Sequence, residues 1–258
     1  FQRFPNHDGF EDPQFSNFYG QTLPLVKRGV PVQMVHMENL SYEATLKNIT
    51  VLVMSYANMK PTNSKVHEEL KKWVSNGGVI IYIGRDDDPY QSVKEWWNSD
   101  KNNYKAPSEH LFTLLNIPAN AKTGSYNFEK GKVYVIRENP KEFVQTENND
   151  TTYIEILKSA YNEATNSKKI KFKNTFYLQR GPYLIASVLD ESMFDDSYTI
   201  YGPLIDLFDP KLPILSQKTI ELGEQAFLYD LSPTNINRTP KVLASASRIY
   251  DQKIYENS

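Results

Sequence analysis

The chain of 258 residues contains no cysteine. Composition alone therefore excludes disulfide bonds, thiolate metal sites and a cysteine nucleophile. The absence of cysteine does not fix the compartment, because exported bacterial proteins often lack this residue too. The sequence leaves the localisation unknown, with export to the periplasm or the extracellular space as one open interpretation.

Long apolar runs and an excess of one charge are also absent. The longest apolar runs, such as 49–54 and 79–83, are far shorter than the about 20 residues that cross a bilayer. The formal net charge of −2 gives no electrostatic reason to expect nucleic acid as a partner. No glycine-rich phosphate-binding motif or G-x-S-x-G nucleophile motif is present, and the four histidines lack helical ligand spacing. We therefore expect no membrane span, no cofactor and no histidine metal site.

The first half of the chain has the pattern of strands alternating with helices. Apolar, β-forming runs predict strands at 30–35, 49–55 and 79–83. Between the last two runs, a helical stripe of apolar residues is formed by Val66, Leu70, Trp73 and Val74. Two buried strands joined by an amphipathic helix make a βαβ unit. The pattern predicts an α/β domain over residues 1–168, with a parallel sheet flanked by helices.

From about Ile170 the pattern changes to short β-type runs divided by turn residues. These runs lie at 171–181, 182–192, 198–209, 218–231 and 241–252. None of them has a helical period, and their spacing is typical of antiparallel sheets. The second half therefore predicts a smaller, antiparallel β-sandwich-like accessory domain over residues 169–258.

Three polar loops follow predicted strands of the first domain, at 55–61, 84–90 and 137–140. In an open parallel sheet, ligands bind outside the carboxyl ends of the strands, so these loops are where a site is expected. The candidate ligand-binding residues in and beside them are Tyr56, Arg85, Asp86, Asp87, Tyr90, Trp96, Trp97 and Glu138. No residue is assigned a catalytic or metal-ligating role.

The aspartate run at 86–88 is open to three interpretations. Its carboxylates could bind Ca²⁺ or Mg²⁺, although consecutive residues of extended backbone point in opposite directions and disfavour a shared ion. One of them could form a glycoside-hydrolase pair with Glu138, if the two carboxyls lie about 5–10 Å apart. The plainer interpretation makes Asp88 the cap of a short helix that begins at Pro89 and pairs another aspartate with Arg85.

The adjacent tryptophans at 96 and 97 also have two interpretations. Indole faces stack on sugar rings, and a pair near a strand edge could form such a platform. However, Val93, Trp96 and Trp97 stand at i, i+3 and i+4, which predicts a helical stripe facing a core. We expect at least one tryptophan to be structural, and the other stays a candidate for sugar contact.

The stretches GVPVQMV, NITVLVMSY and SKVHEELKKWVSNGGVIIYIG together resemble the class I glutamine-amidotransferase-like (flavodoxin-like) fold. Among its members, the chain looks most like the β-galactosidase trimerisation domain that follows the catalytic barrel in some bacterial glycoside hydrolases. The resemblance covers about residues 15–165 and is strongest over 30–84. It implies a flavodoxin-like parallel sheet. The family's cysteine nucleophile would stand at 84–86, where this chain has Gly-Arg-Asp, so amidotransferase chemistry is excluded.

Together these features favour a non-catalytic accessory region of a larger bacterial carbohydrate-active protein. Such a region would serve packing, oligomerisation or formation of a wall beside the substrate. The chain does not begin with Met, and its last segment, 247–258, is strand-like. We therefore expect a longer parent chain, with its flanking domains, a second copy and carbohydrate as candidate partners. The alternatives are a carbohydrate-binding module that uses the three loops and a carboxylate-based glycoside hydrolase.

Overall fold

A computed structural model describes residues 13–57, 59–146, 148–190, 192, 194–233, 245, 247–248 and 250–251. The chain divides into two compact units between Lys171 and Phe172, and the segment Lys27–Gly29 belongs to the second unit. The first unit is mixed α/β, and the second is built from strands. In the described part of the chain, no helix has the length and the apolar character needed to cross a membrane.

Four strands form the sheet of the first unit. They are β1 (Leu52–Met54), β2 (Val79–Ile83), β3 (Gly124–Phe128) and β4 (Gly131–Ile136). The sheet order is β1-β2-β4-β3, in which the β1–β2 and β2–β4 pairs are parallel and β3 is antiparallel to β4. Around them stand the helices α1 (Pro13–Val26), α2 (Lys65–Ser75), α3 (Pro107–Leu114), α4 (Glu142–Gln145) and α5 (Thr151–Ala164).

Strand β2 lies at the centre of this unit, and all five of its residues are buried. Its side chains alternate between the two faces of the sheet. Ile80 and Tyr82 pack in one cluster with Leu70 of α2 and Phe112 of α3, while α5 also contacts β2. Covered faces explain why the strand is a continuous apolar run, as the sequence predicted.

One predicted strand is wrong. The stretch VPVQMV at 30–35 is not part of the sheet, and its side chains Val32 and Met34 are 43% and 63% exposed. Pro31 has no N–H to donate to a ladder, and β-forming side chains do not make a strand without a neighbouring strand to pair with. As a result β1 is an edge strand of only three residues, shorter than the predicted run at 49–55.

The second unit contains one five-stranded sheet. Its strands are β5 (Thr175–Arg180), β6 (Tyr183–Val188), β7 (Tyr198–Asp206), β8 (Ile214–Ile220) and β9 (Gln225–Asp230). Their order is β5-β6-β9-β7-β8, and all neighbours are antiparallel. The antiparallel prediction is confirmed, but the residues described here provide no second sheet for a sandwich. The predicted run at 241–252 and the end segment at 247–258 lie largely outside the described residues.

The two faces of this second sheet differ in exposure. Leu184 and Leu228, which pair across β6 and β9, belong to the buried core of the unit. On the other face, Leu178 pairs with Ile185, and these side chains are 47% and 43% exposed. Tyr183 and Phe208 are also exposed, and both rings contact Phe227. We call the exposed group Leu178, Tyr183, Ile185 and Phe208 the apolar face, because grouped apolar side chains of this kind often mark an interaction surface.

Replacing Gly131 by alanine is expected to destabilise the first unit. A Cβ at Gly131 would lie 2.2 Å from the carbonyl oxygen of Val74 and 2.4 Å from that of Gly78. These are backbone atoms that cannot rotate away, so we expect a loss of about 3 kcal/mol or more in the free energy of unfolding. Urea denaturation followed by circular dichroism measures it.

Gly124, at the other end of the same hairpin, provides the matched control. A Cβ there would meet no atom closer than the carbonyl oxygen of Lys122, at 4.0 Å. The Gly124→Ala variant should therefore stay within about 1 kcal/mol of the parent. Equal midpoints and slopes for the two variants would contradict the close packing at Gly131.

Candidate functional site

The carboxyl ends of β1, β2 and β4 lie at the same edge of the sheet, because these three strands are parallel. Tyr56 follows β1, the segment 84–88 follows β2, and Arg137 directly follows β4. The three loops singled out in the sequence therefore meet at one edge, and the geometry there decides what each side chain can do.

Asp86 is bound on both sides by groups of the same unit. The hydroxyl of Tyr82 donates to its Oδ1 at 2.5 Å, and Nη1 of Arg137 donates to its Oδ2 at 2.5 Å. The backbone of Asp86 has a φ of +60°, a left-handed conformation that aspartate tolerates better than most residues. Tyr82 and Arg137 thus hold this carboxylate in a fixed, half-buried position.

Arg137 joins the loops of this edge to one another. Its Nε donates to the carbonyl of Ala121 at 2.7 Å, and its Nη1 also donates to the carbonyl of Gly84 at 3.1 Å. Its guanidinium carbon lies 5.2 Å from the centre of the Phe112 ring. The planar fork of donors on arginine suits such a set of simultaneous contacts. Because every one of these contacts fixes the same group, the guanidinium has little freedom to move.

The two following aspartates also have partners. Asp88 caps the 3-10 helix Pro89–Ser92 by accepting the N–H of Tyr90 at 3.0 Å, and Nζ of Lys60 lies 2.7 Å from its Oδ2. Asp87 lies 3.5 Å from Nε of Arg85. The prediction of a cap at Asp88 and a pair with Arg85 is therefore confirmed. Arg85 also pairs with Glu142.

The adjacent tryptophans are held by different contacts. Trp97 is 1% exposed, and its Nε1 donates to the carbonyl of Gln91 at 3.3 Å, so this residue is structural as predicted for at least one of the pair. Trp96 is half-buried, its Nε1 donates to the carbonyl of Pro61 at 2.8 Å, and its ring packs edge-on against that of Trp97.

The helical stripe predicted for this segment is wrong. No helix covers residues 93–97, and Val93 is 47% exposed. The side chain of Asn98 donates to the carbonyl of Val93 at 2.9 Å and accepts the N–H of Glu95 at 2.7 Å. These side-chain bonds replace helical backbone bonds and bend the segment into a turn.

A chain of polar contacts that the sequence did not reveal lies behind the tryptophans. The hydroxyl of Tyr56 is 2.7 Å from Nε2 of His67, and Nδ1 of His67 is 2.8 Å from Nδ1 of His110. Tyr56 and His67 are buried, and His110 is half-buried. Since two imidazole nitrogens can bond only if one is protonated and the other is not, the short contact requires a donor on one ring and an acceptor on the other.

The environment favours the neutral forms of these groups. Burial lowers the pKa of His67 to about 3, and the neighbouring His110 adds to this effect. Burial also lowers the pKa of His110, against the opposing charge of Glu68. Burial, followed by the charge of Asp86, raises the pKa of Tyr56. At neutral pH we therefore infer a relay of uncharged side chains from Tyr56 to the partly accessible His110.

A cavity of about 680 Å³ opens beside this edge of the sheet. Its charged lining residues are Arg85, Asp86, Lys105, Glu109, Lys122 and Arg137. Of the eight candidate residues, the structure brings only Arg85 and Asp86 to this cavity. The lining does not include Tyr56, Asp87, Tyr90, Trp96, Trp97 or Glu138. Tyr90 is exposed, and Glu138 is half-buried. In the part of the chain that the structure describes, no three His, Asp or Glu side chains converge as a metal site.

Sequence reasoning missed His67, His110, Tyr82 and Arg137. A signal existed for two of them. Tyr82 places a polar hydroxyl inside an apolar strand, where it needs a hydrogen-bond partner, and His67 lies among the buried positions of α2. Nothing in the sequence pairs His67 with His110, because 43 residues separate them and only the packing of α2 against α3 brings them together.

Solved structures that resemble the chain include two β-galactosidases. Gan42B, a GH42 beta-galactosidase from G. stearothermophilus, matches with 12% identity and a TM-score of 0.43 over 88% of this chain. The beta-galactosidase from Bacillus circulans sp. alkalophilus matches with 12% identity and a TM-score of 0.44 over 84% of this chain. This chain spans only 37% of the length of each.

A third structure of this kind is the GH42 exo-carrageenase from Bacteroides ovatus in its apo form. It matches with 11% identity and a TM-score of 0.36 over 82% of this chain and 26% of its own. Likenesses of this size carry no inference about the chemistry of this chain. No protein-family model matches the sequence, and no curated protein matches it.

Acid is expected to destabilise the protein through His67. Its folded pKa of about 3 lies below the ordinary value of 6.5, so the unfolded chain binds the proton more readily. Stability is therefore fully present above pH 6.5 and falls as the pH drops towards 3, by about 2 kcal/mol between pH 7.5 and pH 5. Urea unfolding at a series of pH values measures this slope.

Two variants separate the contribution of the buried histidine from the general effect of acid. His67→Gln should flatten the pH dependence between pH 7.5 and pH 5, whatever its absolute stability. His36→Gln, which changes an exposed histidine, should leave the slope unchanged. An identical slope for the parent and for His67→Gln would show that this histidine is not the group responsible.

The pair between Asp86 and Arg137 is expected to contribute to stability as a unit. The two side chains are only 14% and 21% exposed, so removing one leaves the other charge poorly solvated. Asp86→Asn and Arg137→Met should each cost about 2–4 kcal/mol. The double variant should cost at least about 1 kcal/mol less than the sum of the two. Strict additivity in urea unfolding would contradict a direct interaction.

Proposed function

We propose that this chain is a non-catalytic accessory region of a larger bacterial carbohydrate-active protein, of the glycoside hydrolase type. Its role would be packing, oligomerisation or formation of a wall beside the substrate. The resemblance of the strand–helix–strand stretches at 30–84 to the β-galactosidase trimerisation domain supports this proposal. The absence of cysteine at 84–86, where amidotransferases carry their nucleophile, supports it further.

The observation that carries the proposal is the state of the carboxylates at the sheet edge. A glycoside hydrolase needs two carboxyl groups that face the substrate, one as acid and one as base or nucleophile. Asp86, Asp87 and Asp88 are instead each paired with a cation, namely Arg137, Arg85 and Lys60. Asp86 also accepts a hydrogen bond from the hydroxyl of Tyr82, and Asp88 accepts one from the backbone N–H of Tyr90. This arrangement supports a structural role for the aspartate run.

The apolar face of the second unit supports the packing role. Leu178 and Ile185 remain 47% and 43% exposed on neighbouring strands, and Phe208 is 61% exposed beside them. Keeping such side chains in water costs free energy that a partner surface would recover, at about 25 cal/mol for each Å² of apolar surface covered. A flanking domain of the parent chain or a second copy of this chain would provide that cover.

The cavity favours a second candidate function, which is carbohydrate binding at the loops. A volume of about 680 Å³ lies within the usual range for small-molecule sites. The tryptophan pair offers less support, because Trp97 is buried and the half-buried ring of Trp96 is in contact with the rings of His67 and His110. A saccharide would thus be held by polar and charged groups more than by stacking.

The isolated chain is expected to have no hydrolytic activity. Purified protein is incubated with chromogenic galactosides, glucosides and xylosides and with glutamine, and release of the chromophore or of ammonia is followed. We expect rates equal to buffer alone, because each aspartate of the run at 86–88 is paired with a cation.

The Asp86→Asn variant distinguishes true turnover from a contaminant. A trace activity that persists unchanged in this variant comes from another protein or from other residues than the aspartate of this edge. Turnover of a glycoside or an amide that copurifies with the parent chain, and that disappears in Asp86→Asn while circular dichroism shows the variant to be folded at the assay temperature, would overturn the proposal of a non-catalytic region.

A further inference from the structure

The charges around the cavity of the first unit are unbalanced. Four cations line it, from Arg85, Lys105, Lys122 and Arg137, against the two carboxylates of Asp86 and Glu109. Arg137 is paired with Asp86, and Arg85 is paired with Asp87 and Glu142. The positive surplus at the cavity therefore comes from Lys105 and Lys122, against Glu109. The whole chain carries a formal net charge of −2, so this surplus has the opposite sign to the molecule. A concave surface of one sign concentrates ligands of the other sign.

The two carboxylates of the cavity are already engaged. Asp86 accepts from Arg137 and from Tyr82, and Oε2 of Glu109 accepts the backbone N–H of Lys105 at 2.8 Å. Asp86 is therefore neutralised by Arg137, whereas the backbone hydrogen bond fixes one oxygen of Glu109 without cancelling its charge. Among the described residues, the ammonium groups of Lys105 and Lys122 form no ion pair.

The backbone at both lysines is fixed even though their side chains are exposed. Lys105 stands just before α3, and its N–H is held by Glu109. Lys122 stands just before β3, and its carbonyl accepts the hydroxyl of Tyr126 at 2.9 Å. The backbone atoms that carry both lysine side chains are thus fixed at the margin of the cavity. The guanidinium of Arg137 is held by its hydrogen bonds in the wall of the cavity.

We propose that this cavity binds an acidic saccharide, with Lys105 and Lys122 pairing with the carboxylate or sulfate of the sugar. Charge-assisted hydrogen bonds from ammonium groups to an oxyanion are stronger than neutral ones. The cavity also presents groups that suit sugar hydroxyls, including the exposed side chain of Asn120 and the hydroxyl of Thr123. That the cavity binds an oxyanion, which we call the oxyanion half of the proposal, rests on the lining charges alone. That this oxyanion belongs to a sugar, the saccharide half, rests on the proposed function.

Titration of the isolated chain, followed by amide NMR shifts, tests the proposal. The probes are glucuronate, galactose 6-sulfate, neutral galactose and inorganic sulfate. We expect the two acidic sugars to shift the amides around 105–109 and 119–123 with a millimolar dissociation constant, and neutral galactose to bind at least about tenfold more weakly. Raising the ionic strength from about 0.02 to about 0.3 M should weaken the binding of the acidic sugars and leave the binding of galactose unchanged.

Substitutions locate the site. The double variant Lys105→Met/Lys122→Met should bind both acidic sugars at least about fivefold more weakly, because each exposed ion pair contributes a small but additive share. Lys130→Met removes an exposed lysine from the turn at the opposite end of β4 and should bind as the parent does. Thermal melts of the three proteins should coincide, since neither lysine head group has a partner within the described residues.

Each outcome has a defined meaning. Acidic sugars bound more tightly than galactose, and lost in the double variant, would support the site. Equal binding of galactose and glucuronate, binding unaffected in the double variant, or no binding of any probe would overturn it. Binding of inorganic sulfate without either acidic sugar would overturn the saccharide half. These results are separate from glycoside or amide turnover, which alone decides whether the chain is a non-catalytic region.

Discussion

The guanidinium of Arg137 is the group on which the sheet edge of the first unit depends. It bonds the carbonyls of Gly84 and Ala121, neutralises Asp86 and packs on the ring of Phe112. A half-buried arginine must find partners for several donors at once, and here it finds them in two loops, the one that follows β2 and the one that precedes β3. The same contacts that satisfy the donors of the arginine therefore hold those loops in fixed positions relative to each other. They also hold Asp86 in its left-handed conformation and form one wall of the cavity.

Neutralisation is a common theme of the polar groups near this edge. Each aspartate of the run at 86–88 has a cation beside it, and the buried contact between His67 and His110 forms between uncharged rings. A low-dielectric interior makes an unpaired charge costly in free energy. Ionisable side chains that are buried there are therefore either paired with an opposite charge or kept in their neutral form. Among the described residues, the exposed ammonium groups of Lys105 and Lys122 form no ion pair, and they give the cavity its positive sign.

The two units expose surfaces of different chemical character. The first offers a charged cavity beside the ends of parallel strands, and the second offers the apolar face on its antiparallel sheet. A charged, concave surface suits a small polar ligand, whereas a flat apolar one suits another protein surface. The proposed packing role and the proposed oxyanion site thus draw on separate parts of the chain, whereas the choice of a saccharide as the ligand rests on the proposed function.

The sequence by itself determined the elements whose signals are local. The apolar run of β2, the stripe of Val66, Leu70 and Val74 on α2, the cap at Asp88 and the antiparallel pattern after Ile170 could all be predicted, because burial, capping and turns depend on neighbouring residues. Only the tertiary structure decided that VPVQMV at 30–35 has no partner strand and that Trp97 is buried without being part of a helix. The contact between His67 and His110 and the ion pair between Arg137 and Asp86 were likewise decided only there. Those outcomes depend on contacts between residues far apart in the chain, for which a single sequence holds no distance information.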